Sequence, residues 1–349
     1  MASAAHRTFV ALILATGAVG LAGCGGGHSD ATSNSSPSPS ATPSATVAPA
    51  VVKTCPLTGL PPEEGQRVNR VALAVKIDNV GDARPQAGLD KADIVFEETV
   101  EGGLTRLMAM FQCDSAPNIG PIRSARTSDG DLLRLLGGAV FGYSGANPRA
   151  IATVQQVSKA VLIAWDNTPQ FFRTDPSRPA VHNVMGSTKS LLDAGLARNS
   201  KLDAPRHIFV YGDAKHVGTK VKTVSMTWSS SASASWTWKG NAWQRTQNGT
   251  ADVLTNGHRV TASNVVIMSI TVANTGLHDV LGTPSPDDVV TGSGKVWVMR
   301  DGHAIRGTWS RPTRADKMVL KDKTGNVLPL KPGRTWVELL PRPRTPSLR

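Results

Sequence analysis

From Arg70 to about Tyr211, short apolar runs alternate with stretches of helical period. "VALAVKIDN" (71–79), "ADIVFEETV" (92–100) and "TRLMAMFQC" (105–113) read as strands, the last two joined by an "EGG" turn. "SDGDLLRLLGG" predicts a helix with Ser128 as cap, Asp131 in the capping-box position and glycine at its end. A second helix should start at Asn147 and Pro148, a cap followed by a first-turn proline, and run through "RAIATVQQV". A third follows Ser187 in "STKSLLDAGLA". This half predicts a sheet with helices packed on it.

From about Val221 the pattern changes to period-two alternation broken by turns. "SASWTWKGNAWQRT" suggests a hairpin at Gly240, "KVWVMRDGHAIRGTW" places Asp301 and Gly302 at a tight two-residue turn, and "LKPGRTWVELL" adds a Pro332-Gly333 turn. Seven of the eight tryptophans fall in this half, so it reads as β-rich and aromatic-rich. Trp236 and Trp238 share one strand face, which serves either a sugar-stacking platform or cross-strand packing. The fold class expected is α+β: a mixed α/β domain over residues 53–212, a β-rich domain over 221–341 and a basic tail at 342–349.

The N-terminus has a different texture. A basic start with Arg7, an apolar stretch from Thr8 to Leu21 and "LAGC" ending at Cys24 match a lipoprotein signal, residues 1–23, cut before a cysteine that receives the lipid. The apolar stretch is shorter than the roughly 20 residues a membrane span needs. Residues 24–52, rich in Ser, Pro and Ala, hold too little apolar surface to offset chain entropy and read as a disordered tether. The chain is thus expected to be exported and lipid-anchored to the outer face of the cell membrane.

Export bears on cysteine and charge. With Cys24 lipidated, Cys55 and Cys113 remain, and in an oxidising compartment they either pair or stay as buried thiols. The formal charge is +12, and residues 311–349 hold ten Lys or Arg against Asp316, Asp322 and Glu338. An exported basic protein meets polyanions of the envelope, not nucleic acid.

"CPLTGLP", "KIDNVGDARPQAGLDKADIVFEETVEGGLTRLMAMF", "IGPIRSAR" and "RPAVHN" resemble the YerB-like bacterial lipoproteins, a family described under a domain of unknown function. "ASNVVIM", "GSGKVWVMRDGHAIRGTW" and "GNVLPLKPGRTWVEL" resemble that family's smaller C-terminal domain. The resemblance implies an α/β domain followed by a β-rich one on a membrane-anchored protein, and implies no reaction. One departure is visible: "GTADV" keeps Asp252 but lacks the histidine that the family typically shows beside it.

Arg84, Arg106, Arg123 and Arg126 sit at predicted strand ends or loops, with Asp78 and Asn79 nearby in sequence. A planar guanidinium donates two hydrogen bonds at once to a carboxylate or phosphate, so convergence of these arginines would make an anion site. The opposing reading is that Asp78, Asp93, Glu97 and Glu101 neutralise them in structural ion pairs. A catalytic reading would use Glu97, or His182 with Asp175 or Asp78. Glu97 and Glu101 on one strand would lie roughly 13 Å apart at ~3.3 Å per residue, beyond the roughly 5–9.5 Å that glycosidase carboxylates use. No zinc, EF-hand, P-loop or dinucleotide motif is present, so no metal or cofactor is expected. The leading expectation is a non-enzymatic envelope lipoprotein that binds an anionic cell-wall polymer or envelope protein. A hydrolase or transferase acting on cell-wall glycan or phosphodiester is the alternative.

Overall fold

The computed structural model of the protein describes residues 53–214 and 218–349; the signal, Cys24 and the tether fall outside the described residues. The first half contains β1 (Ala72–Asp78), β2 (Ile94–Thr99), β3 (Thr105–Phe111), α1 (Ser128–Leu136), β4 (Ala139–Tyr143), α2 (Pro148–Val157), β5 (Val161–Ala164) and α3 (Thr188–Arg198). The second half contributes β6 (Thr223–Thr227), β7 (Ser233–Lys239), β8 (Ala242–Gln247), β9 (Asn264–His278), β10 (Pro284–Val289), β11 (Gly292–Arg300), β12 (His303–Arg311), β13 (Val319–Asp322) and β14 (Thr335–Pro341). The class is α+β.

One large sheet runs through both halves in the order β13-β12-β11-β9-β14-β2-β3-β1-β4-β5. At its centre β14 lies parallel to β9 on one side and to β2 on the other. Residues 53–212 and 221–341 are therefore joined by a hydrogen-bonded ladder, Thr335–Glu338 against Ile94–Glu97. The change of texture near residue 221 marks a change in the layer covering the sheet. Helices cover it in the first half, and hairpins take over in the second.

Alternation along the strands produces two cores. Leu73, Val75, Ile77, Val95, Leu107 and Trp336 face one side and pack with α3 and with a second, smaller sheet. That sheet is built from β8, β7, β6 and Ser347–Leu348, with Thr250–Ala251 and Thr261–Ala262 on β8. Ala72, Ala74, Ile94, Phe96, Met108 and Val337 face the other side, toward Leu132, Leu133 and Leu136 of α1 and Val154 of α2. Burial on both faces explains why "VALAVKID" and "TRLMAMF" read as near-continuous apolar runs.

Most predicted boundaries hold. The Asn147 side chain caps α2 by accepting from the Arg149 N–H, and Ser187 caps α3 by accepting from Ser190. Ser128 does not cap α1: it lies inside the helix and donates to Glu98 Oε2 at 2.6 Å, while Asp129 Oδ2 accepts from the Arg126 N–H. The buried carboxylate of Glu98 draws that hydroxyl inward. Asp301 and Gly302 both have positive φ, as the tight turn between β11 and β12 requires. Pro332-Gly333 makes no hairpin; it precedes β14, whose neighbours are parallel. The expected basic tail is not loose, since Ser347–Leu348 pairs antiparallel with β6.

Cys55 and Cys113 form a disulfide that clips the leading segment to the end of β3, closing a loop with a sequence separation of 58. Crosslinks over loops of that size contribute about 2–4 kcal/mol by restricting the unfolded chain. Replacing both cysteines by serine should lower the unfolding free energy by that amount, read from urea titrations, without changing the native far-UV circular dichroism.

Candidate functional site

Arg106, Arg123 and Arg126 come together on the wall of one cleft of ≈ 850 Å³. The turn after β2, the loop before α1, the start of α2 and the β9–β10 hairpin frame it, so both halves of the chain build it. Hydrogen bonds fasten the hairpin there: Ser285 Oγ to Glu101 Oε1 at 2.5 Å, Thr127 Oγ1 to Asp287 Oδ1 at 2.7 Å, Asn147 Nδ2 to the His278 carbonyl at 3.3 Å and the Thr99 N–H to Asp288 Oδ2 at 2.8 Å.

The three arginines are not equivalent. Arg123 Nε donates to Asp78 Oδ2 at 3.0 Å, and Arg126 Nη2 meets Glu101 Oε2 at 2.5 Å. Arg106 stands in the ladder opposite Asp78 on β1 and Glu98 on β2, yet has no carboxylate partner among the described residues. Its neighbours are engaged elsewhere: Asp78 by Arg123 and His182, and Glu98 by Lys76 Nζ at 2.6 Å and by Ser128. The one hydrogen bond of its guanidinium runs to the Ser124 carbonyl at 3.3 Å, and its Nε has no acceptor. Arg106 is only 9% exposed. Burial, with Arg126 and Arg123 close by, pushes its pKa down to about 9 against a partial offset from Asp78 and Glu101. A guanidinium stays charged at neutral pH even so, and burial is the largest cause of the lowering.

His182 Nδ1 lies 2.8 Å from Asp78 Oδ2, the pairing anticipated as one of two. Asp175 is not its partner. That carboxylate accepts from the Ser177 hydroxyl at 2.6 Å and from Arg178 Nε at 3.2 Å, and organises its own loop.

Glu97, Asn79 and Arg84 do not line the cleft. Glu97 is fully buried on the opposite face of β2 from Glu98, where Arg245 Nη2 meets it at 2.5 Å and Asn79 Nδ2 and Thr105 Oγ1 donate to it at 3.0 and 2.7 Å. Sealed from solvent and held by three donors, it cannot serve as the acid or base of a substrate site. Arg84 is half-buried near the same group, with its pKa lowered by burial and by Arg245 against the pull of Asp252 and Glu97. Asp252 pairs with Arg245 Nη1 at 2.5 Å.

Arg245, Glu338 and Trp336 were not singled out by sequence. Arg245 bridges the two sheets and stacks on Trp336, 4.8 Å from the ring centroid. Glu338 lies beside Glu97 in the parallel ladder and accepts from Trp236 Nε1 at 2.7 Å through Oε1, while its buried Oε2 has no hydrogen-bond partner among the described residues. Trp236 is fully buried and Trp238 packs on Trp243 with centroids 5.3 Å apart, so these rings pack the core instead of forming a sugar platform. Glu338 is the one charged residue in the apolar strand TWVELLP, whereas Arg245 stands among the polar residues of AWQRTQ and carries no such mark.

Among the described residues no cluster of His, Cys, Asp or Glu could hold a metal ion. Asp78, Glu97, Glu98 and Glu101 each face a cation of the protein itself.

Removing Arg245 strands buried carboxylates, and Arg245→Ala should cost about 3–5 kcal/mol of unfolding free energy, measured by urea titration. Burial and the adjacent Glu97 raise the Glu338 pKa well above its ordinary value. The folded protein then keeps a proton that the unfolded chain releases above about pH 4.3. Stability should fall as pH rises from there, and Glu338→Gln should flatten that part of the curve; an unchanged slope in the variant would assign the effect to other groups.

Comparison with known proteins follows the same division of the chain. The family model "Protein of unknown function (DUF3048) N-terminal domain" matches residues 57–201, and that of its C-terminal domain matches residues 223–337. A curated relative, "Putative lipoprotein YerB" of Bacillus subtilis (strain 168), is 29% identical over 297 residues, covering 82% of this chain and 86% of the relative. The crystal structure of the YerB protein from Bacillus subtilis superposes with a TM-score of 0.72 at 23% identity, covering 84% of this chain and 99% of that one, and shares its fold. The chain belongs to the DUF3048 family and carries both its N-terminal and its C-terminal domain.

Proposed function

We propose that this protein is a membrane-tethered envelope lipoprotein that binds an anionic cell-wall component or envelope partner through Arg106, Arg123 and Arg126. The tether reading rests on the "LAGC" sequence ending at Cys24 and on the lipoprotein name of the Bacillus subtilis relative. The binding reading rests on one observation above all: a nine-tenths buried arginine faces a cleft without a carboxylate to neutralise it. Buried cations are normally paired, because an unpaired charge in a poorly solvated site is costly. An anion in the cleft would supply the missing partner, and the forks of Arg123 and Arg126 would add donors. The membrane anchor would hold the cleft at the outer face of the cell membrane.

A second reading is a hydrolase or transferase acting on cell-wall glycan or phosphodiester. The 2.8 Å pair of His182 and Asp78 favours it, since a carboxylate-oriented imidazole beside arginines can move a proton while they stabilise developing negative charge. Glu97 has no part in this version.

Both readings meet in one experiment. Residues 53–349, which contain both sheets and both cores, are sedimented with purified cell walls at low and moderate salt, and the supernatants are assayed for sugar and phosphate. The expected result is binding that falls by about tenfold or more in Arg106→Ala and in the Arg123→Ala, Arg126→Ala pair, as loss of charge-assisted hydrogen bonds predicts. Binding unaffected by these changes would move the site to the basic C-terminal surface. Release of fragments that stops in His182→Ala would establish the enzyme instead.

A further inference from the structure

The cleft carries more apolar wall than a site for a water-soluble polyanion needs. Val80, Leu104, Val181 and Leu277 line it together with Val280 and Leu281 at the tip of the β9–β10 hairpin. Those last two side chains are 101% and 87% exposed, the most exposed large aliphatic residues among those described. The tip is not slack: Asp279 Oδ1 accepts from the N–H groups of Leu281 at 2.9 Å and Thr283 at 2.8 Å, and Gly282 adopts the positive φ that closes the turn. A defined turn thus presents two bare aliphatic chains to water at the mouth of a cavity whose wall holds a guanidinium with no paired carboxylate among the described residues. Exposed apolar groups next to a concave site mark a surface that is covered in use.

The charge balance narrows the occupant further. Arg123 and Arg126 already have Asp78 and Glu101, leaving Arg106 as the one cation of the three without a carboxylate. A polymer with many charges would call for a row of free cations, whereas a single anionic head joined to hydrocarbon matches one free cation and an aliphatic rim. Resting on the anion-binding reading above, we infer that the cleft takes a phosphate-headed lipid. The phosphate lies against Arg106, with further donors from Arg123 and Arg126, and the hydrocarbon chain runs over Leu277, Val280 and Leu281. Phosphate suits this head because its several acceptor oxygens can serve more than one guanidinium at once.

Calorimetry on residues 53–349 tests this with three probes kept below their micelle concentrations. They are dihexanoyl phosphatidic acid, glycerol 3-phosphate as the same head without chains, and dihexanoyl phosphatidylcholine as the same chains with a charge-compensated head. The expected result is that phosphatidic acid binds more than about tenfold tighter than either of the others, since both the chain and the free charge contribute. Affinity for it should drop by about tenfold in Arg106→Gln and again in the Val280→Ser, Leu281→Ser pair. The second variant alters only exposed side chains, so it remains informative if Arg106→Gln folds poorly. Equal binding of glycerol 3-phosphate and phosphatidic acid, or no effect of the hairpin substitutions, overturns the lipid assignment while leaving the anion site standing. Failure of all three probes to bind overturns the lipid assignment, and wall binding that also ignores Arg106 removes the anion site with it.

Discussion

Arg245 is the buried charge around which the two halves of the molecule are arranged. It reaches from the smaller sheet to Glu97 on the large one, holds Asp252 on its own side, and lies over Trp336. A charge in such a place is tolerable only when counter-charges surround it, and Glu97, Asp252 and Gln247 meet both Nη groups while Nε finds no acceptor. That requirement fixes where the sheets sit relative to each other more narrowly than aliphatic packing could. It also explains a placement that looks unfavourable in isolation, two carboxyl groups adjacent in a parallel ladder. Glu97 serves the arginine, while burial and the adjacent Glu97 raise the pKa of Glu338, which accepts from Trp236.

The opposite face of the same strands repeats the pattern with a different outcome. Lys76 lies between Glu98 and Asp129 with all three side chains fully buried, and this group anchors the start of α1 under the sheet. Next along that face come Asp78 and Arg106, where the accounting stops closing. Asp78 is shared by Arg123 and His182, so the arginine beside it is left over. The cleft opens where the ladder of internal ion pairs has one cation too many. Structural charge pairing and the candidate site are therefore two stretches of one continuous polar seam.

Local features were largely legible in the sequence, because they depend on neighbours a few residues away. The strands around Lys76, Glu97 and Leu107, the Asn147 and Ser187 caps and the Asp301-Gly302 turn all follow from period, capping chemistry and positive-φ preference. The convergence of Arg106, Arg123 and Arg126 was a conditional expectation, since nothing local states which loops meet. What stayed hidden depends on long-range pairing. Glu97 resembled a catalytic carboxylate until Arg245, 148 residues away, came to rest on it. Asp175 and Asp78 stood as equal partners for His182, and only the turn through Ser177 and Arg178 separated them. The hairpin wall of the cleft belongs to the other half of the chain and left no mark near the arginines.

The central position of β14 sets a condition on how the protein is made. Its partners β9 and β2 begin about 70 and 240 residues earlier in the chain, yet neither can complete its ladder until Thr335–Pro341 arrives. A chain is made from its amino end, so β2 must wait with one edge bare through nearly the whole of synthesis. Exposed strand edges recruit other strands. Thr335–Pro341 is the last strand of the large sheet to be made, and it is the one that joins β9 to β2.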